Sequence, residues 1–157
     1  MIHIPYSLQQ GWPVQTGGKI VSSPVLGDID GDGNLEVVVG SQDGKVYAWD
    51  NKGVLLAGWP KTVTTKGTIT SSPALADLDS TYPGLEIVMG VEAYGLEDRV
   101  YVWHSDGTDV TGWPKKINTV NGLFMDYVAS TPAIGDIDGD WDIEIVFGSY
   151  DNNVYAF

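Results

Sequence analysis

Carboxylates at alternate positions are the residues of this sequence best placed to do chemistry. In Asp28-Ile29-Asp30-Gly31-Asp32-Gly33-Asn34-Leu35-Glu36, oxygen-bearing side chains take the first, third and fifth places, glycine the sixth and glutamate the ninth. Asp136, Asp138 and Asp140 repeat that spacing, followed by Trp141 in the sixth place, Asp142 in the seventh and Glu144 in the ninth. On a tight loop such carboxylates converge on one point, which suits a hard cation: Ca²⁺ takes roughly 6–8 oxygens at about 2.3–2.6 Å. The seventh residue would add its backbone carbonyl. The expected ligand sets are therefore Asp28, Asp30, Asp32, Asn34 and Glu36, and Asp136, Asp138, Asp140, Asp142 and Glu144. An EF-hand is excluded, because its twelfth-position glutamate is Val39 or Phe147 here, inside an apolar run. A solvated Asp-Gly turn without metal is the plain alternative. Crowding nine of the 21 acids of the chain into two loops argues for a cation, since like charges so close are costly alone.

Between them lies a divergent third copy. Asp77 and Asp79 are present, but the fifth place is Thr81, and Glu86 arrives one residue late, after Pro83-Gly84. This second loop is not expected to complete a site. No catalytic constellation accompanies the acids. Ser22, Ser23, Ser71, Ser72 and Ser130 recur at one structural position, which the fold explains better than a nucleophile does, and there is no G-x-S-x-G elbow or P-loop. His3 and His104 have no second histidine at ligand spacing and read as structural or surface residues. Paired carboxylates could hydrolyse glycosides, but such a pair need occur only once, whereas this loop recurs. The chain is expected not to be an enzyme.

The loops sit inside a repeat that runs the length of the chain. Gly-Trp-Pro occurs at residues 11–13, 58–60 and 112–114. Each copy is followed by a Ser-Ser-Pro or Ser-Thr-Pro segment, an acidic loop, an apolar run closing in Gly40, Gly90 or Gly148, and an aromatic segment around Tyr47, Tyr101 or Tyr155. The runs are short, rich in Val, Ile and Tyr, and bounded by turn signals such as Asp43-Gly44 and Asp106-Gly107, so they read as strands. Four strands per unit at a period near 50 residues is the pattern of a β-propeller blade. The fold class expected is all-β, a propeller of four-stranded antiparallel blades with three blades in the chain. The repeats span about 11–57, 58–111 and 112–157, with the fourth strand of each in the stretch leading into Gly-Trp-Pro. Residues 1–14 then read as the outer strand of a neighbouring blade. The recurring Trp12, Trp59 and Trp113 are expected to pack between blades.

Composition agrees. The 157 residues carry 8 Lys+Arg against 21 Asp+Glu, a net charge of −13, which disfavours nucleic acid and anionic membrane surfaces. There is no cysteine, and no apolar run approaches the roughly 20 residues of a membrane span. The opening residues, Met1 to Gln10, lack the charged and apolar regions of a signal peptide.

The two acidic loops, the preceding Ser-Pro segments and the Gly-Trp-Pro joints together resemble the FG-GAP/VCBS repeats of integrin-like β-propellers, over nearly the whole chain. That resemblance implies a calcium loop between the first two strands of a blade. It also implies an extracellular or cell-surface module for adhesion, lectin-like or matrix binding. The expected function is a non-enzymatic, calcium-stabilised module recognising a protein or glycan. The alternative is a set of blades from a larger propeller enzyme, a polysaccharide lyase or quinoprotein-like protein. Two insertions break the repeat and are expected on one loop face as a ligand surface: Tyr94, Glu97 and Arg99 in one, Phe124, Asp126 and Tyr127 in the other. Three blades cannot close a ring, because propellers take about four to eight. The chain is therefore expected either to pair as a homodimer in a six-bladed ring, each N-terminal strand completing the partner's third blade, or to be a piece of a longer propeller.

Overall fold

A computed structural model describes residues 7–64, 68–91, 99–117, 128 and 130–157. Among the described residues, eleven strands form three antiparallel sheets and no helix occurs. The first sheet holds β1 (Val25–Gly27), β2 (Glu36–Ser41), β3 (Lys45–Trp49) and β4 (Lys61–Thr62), in that order. The second repeats it with β5 (Ala74–Ala76), β6 (Glu86–Val91), β7 (Arg99–Trp103) and β8 (Lys115–Lys116). The third holds β9 (Ala133–Gly135), β10 (Glu144–Gly148) and β11 (Val154–Ala156). Each is a meander, as short strands joined by tight turns must be. The first strands of successive sheets lie side by side, β1 near β5 and β5 near β9. The sheets are thus stacked like the blades of a propeller, without closing a ring.

The core lies between blades. Val38, Val46 and Ala48 of the first blade bury against Ile69, Ile87, Met89 and Trp103 of the second. Val88, Val100 and Val102 of the second bury against Val128, Ile145 and Phe147 of the third. The alternation of the strands explains this: each central strand sends one set of apolar side chains forward and the other back. Within each blade, one serine latches the edge to the centre. Ser22 Oγ donates to the carbonyl of Gly40 (3.0 Å) and accepts from its N–H (2.9 Å), and Ser130 does the same with Gly148 (2.9 and 2.8 Å). Ser71 likewise donates to Gly90.

One sequence expectation needs correction. The fourth strand follows Gly-Trp-Pro instead of leading into it. The stretch before the motif makes only one isolated bridge per blade, Trp49 with Leu55 and Trp103 with Asp109, because the chain is turning there. It reverses at Gly58 (φ +85°), passes the cis Trp59–Pro60 bond and returns to pair Lys61 with Val46. Residues 7–14 pair with no strand among the described residues, and residues 1–6 lie outside the described ones. Instead Trp12 packs edge-on against Trp49 at 6.2 Å, and Val14 joins Val39, Tyr47 and Trp49. The motif does staple neighbours together: Trp59, at the end of one blade, packs on Trp103 of the next at 5.9 Å, and its indole N–H donates to the carbonyl of Ser105 (2.7 Å). Trp113 meets Phe157 in the same way at 6.1 Å.

Candidate metal centres

The three acidic loops join the first and second strands of their blades, and a common set of hydrogen bonds shapes the first and the third. In the first loop, Asp28 accepts the N–H of Gly31 on one oxygen (2.8 Å) and that of Gly33 on the other (3.0 Å). Asp30 accepts from the N–H of Asp32 (3.1 Å), and Asp32 from that of Asn34 (2.7 Å). Aspartates that receive backbone N–H groups two and three residues on hold the loop tight and point their oxygens inward. Gly31 and Gly33 adopt left-handed φ values of +77° and +87°, which the turn demands. The result is that Asp28, Asp30 and Asp32 bring one carboxylate oxygen each within 4.8 Å of the others.

The third loop is built alike. Asp136 accepts from Gly139 (2.6 Å) and Trp141 (3.0 Å), Asp138 from Asp140 (3.2 Å), and Asp140 from Asp142 (2.9 Å). The N–H donors of Gly139 and Trp141 hold the Asp136 carboxyl below its ordinary range. Here the oxygens that meet within 4.8 Å belong to Asp136, Asp138 and Glu144. Trp141 occupies the place of Gly33, with a left-handed φ of +76° and a side chain 89% exposed.

Of the ten expected ligand positions, six are gathered this way. Glu36 stands outside the first cluster, and Asp140 and Asp142 outside the third. The Asn34 side chain is engaged with both Asp32 oxygens (2.9 and 3.0 Å) and with Asn51 (3.3 Å), leaving its backbone carbonyl for the expected role. The glutamate does a second job that spacing alone did not suggest. Glu36 accepts the N–H of Ile29 (3.0 Å), Glu144 that of Ile137 (2.8 Å), and Glu86 those of Leu78 and Asp79 (2.7 and 3.0 Å). It buckles the loop to the second strand in all three blades, including the one with a divergent loop. That shared role was the missed signal, because Glu86 is retained where the metal spacing is lost. Burial, then the hydrogen bond opposing it, then Asp30, Asp32 and Asp28, leave the Glu36 carboxyl raised above its usual value.

The second loop takes another form. Thr81 caps Asp79 through its N–H (3.0 Å) and hydroxyl (2.5 Å), and no comparable acidic cluster forms around Asp77 among the described residues. His104, buried at the end of β7, stands between two acids: Nδ1 lies 3.2 Å from Glu86 and Nε2 3.9 Å from Asp79. Tyr82 stacks on its ring at 3.9 Å and donates its hydroxyl to Asp106 (2.8 Å). The Pro83-Gly84 insertion packs on the first loop, where Leu85 N–H donates to the carbonyl of Asp28 (3.2 Å). Among the expected ligand-surface residues, only Arg99 is described, half-buried at the start of β7 opposite Lys116. Tyr94, Glu97, Phe124, Asp126 and Tyr127 lie outside the described residues.

Stacked antiparallel blades with acidic loops at their strand junctions define a β-propeller-like repeat protein. The family comparison agrees: residues 28–81, from the first acidic loop into the second, match the model of an FG-GAP-like repeat. No curated protein matches the chain significantly.

Proposed function

We propose that this chain is a non-enzymatic, calcium-stabilised propeller module that binds a protein or glycan outside the cytoplasm. The observation that carries the reading is the pair of acidic clusters at one structural position in the first and third blades, each preorganised by backbone N–H donors. The donors are all oxygens, as Ca²⁺ prefers, and they belong to loops that must otherwise tolerate like charges in contact. Asp28, Asp30 and Asp32 would hold one ion and Asp136, Asp138 and Glu144 the other, with Asn34 and Asp142 adding backbone carbonyls. The ions neutralise the loops and fix the junctions of first and second strands. Ligand recognition would fall to the opposite loop face, away from the ions.

The test has two arms. At ten times its dissociation constant each ion adds about 1.4 kcal/mol, so two raise stability by roughly 3 kcal/mol against a typical 5–15. Thermal unfolding with calcium should therefore lie several degrees above unfolding with chelator, and equal midpoints would refute the calcium reading. A glycan array run with and without calcium addresses the ligand. Turnover of an acidic polysaccharide by this chain would instead favour an enzymatic propeller.

A further inference from the structure

The second blade lacks the aspartate spacing of the first, yet it keeps the buried glutamate and places a histidine at the same junction. His104 stands where Asp50 stands in the first blade, each following the tryptophan that ends its third strand. Asp50 is spent on its own turn, accepting the N–H groups of Lys52 and Val54 (2.9 and 2.8 Å). In the second blade Asp106 takes over that duty towards Thr108 (2.8 Å), which releases the side chain at 104 to face the acidic loop.

The imidazole is held by one edge and one face. Nδ1 lies 3.2 Å from Oε1 of Glu86, which is 1% exposed and whose other oxygen accepts the N–H groups of Leu78 and Asp79 (2.7 and 3.0 Å). A carboxylate can only accept, so Nδ1 is the donor and the lone pair falls on Nε2. Tyr82 stacks on the ring at 3.9 Å and is fixed in turn by its hydroxyl bond to Asp106 (2.8 Å). His104 itself is 8% exposed, and no hydrogen bond reaches Nε2 among the described residues.

The Nε2 edge is aimed at Asp79. Their separation, 3.9 Å to Oδ2, exceeds the roughly 2.7–3.2 Å of an N–H···O bond, so a proton does not bridge them. Two zinc–donor bonds of about 2.0–2.1 Å span up to roughly 4.2 Å, so a metal ion does. Thr81 takes the other Asp79 oxygen through its N–H and hydroxyl, which leaves Oδ2 for the ion. A histidine whose second nitrogen donates to a carboxylate is the usual form of a metal-binding imidazole. One nitrogen and one carboxylate oxygen suit a borderline cation better than Ca²⁺, which takes six or more oxygens.

We propose that the second loop binds a borderline divalent cation, with Zn²⁺ as the type, through His104 Nε2 and Asp79 Oδ2. Glu86 is the positioning residue that orients the imidazole, and solvent completes the coordination on the side where Asp79 is part-exposed. The blades then share a cation at the junction of their first and second strands, held by two different chemistries. None of these groups belongs to either acidic cluster, so the inference stands apart from the calcium reading.

Calorimetric titration of zinc chloride into the full chain, with calcium present to occupy the acidic loops, tests the proposal. One equivalent should bind at His104, and His104→Gln should abolish that binding. Asp79→Asn should weaken it about tenfold or more, since losing a ligand costs at least as much as losing the partner that orients one. Replacing a buried histidine also perturbs folding, so the parent supplies a second readout. The chain has two histidines, and His3→Gln leaves the imidazole signals of His104 alone. In nitrogen NMR, zinc should shift Nε2 while Nδ1 keeps its proton. Zinc taken up only by the acidic loops leaves Nε2 in place, so the two readings fail separately. An Nε2 signal that zinc does not move, or an affinity unchanged in Asp79→Asn, overturns the proposal.

Discussion

At Trp141 the chain places a bulky side chain where the loop geometry asks for glycine. A left-handed φ costs a non-glycine residue about 1–2 kcal/mol, and the exposed indole regains little of it through packing. Trp141→Gly should raise stability by roughly 1 kcal/mol in a denaturant titration; a loss would show that the indole makes a stabilising contact. Glu36 gives a pH signature. Its carboxyl is raised in the folded protein by burial and by the neighbouring aspartates, so ionisation is easier once the chain unfolds. Metal-free protein should therefore lose stability as pH rises from the ordinary value of 4.5 through the raised one, and Glu36→Gln should flatten that stretch of the profile. Asp136, lowered by its N–H donors, has the opposite sign: its contribution is present above 3.8 and fades as the solution is acidified. The aspartate spacing was legible in the sequence because a period of two on a tight loop leaves few geometries. The buckle made by the glutamate and the burial of His104 were not, since both depend on partners reached only through the fold.

The strands announced themselves through Val- and Ile-rich runs between Asp-Gly turns, and β2, β3, β6, β7 and β10 lie where those runs predict. The fourth strands did not. Lys61–Thr62 and Lys115–Lys116 are two residues long and polar, so no periodicity marks them. Their position is set instead by the reversal at Gly-Trp-Pro. That reversal is sterically closed: a Cβ on Gly58 would lie 1.9 Å from the carbonyl oxygen of Asp106, at a φ of +85°. Gly58→Ala should accordingly cost more than about 2 kcal/mol, because both backbone strain and a backbone clash must be relieved. A urea midpoint within error of the parent would refute that role. Ser22→Ala leaves the N–H and carbonyl of buried Gly40 without their latch and should cost about 1–3 kcal/mol.

Stability across the whole molecule lies between blades, where the apolar side chains of one sheet have only the next sheet to cover them. The repeat, its period and its blade count could be read directly, because repetition turns a weak strand signal into a strong one. Which side chains meet across the blade interfaces could not, since that requires the register. A fragment of residues 7–64, one blade alone, should be unfolded by circular dichroism. The central claim is that the first and third loops hold calcium and the second does not. Calorimetric titration of chelator-stripped protein tests it most directly. The expected result is two sites, one of them lost in Asp30→Ala and both kept in Asp79→Ala. Absence of binding at about 10 mM Ca²⁺, above the range of extracellular modules, would contradict the account.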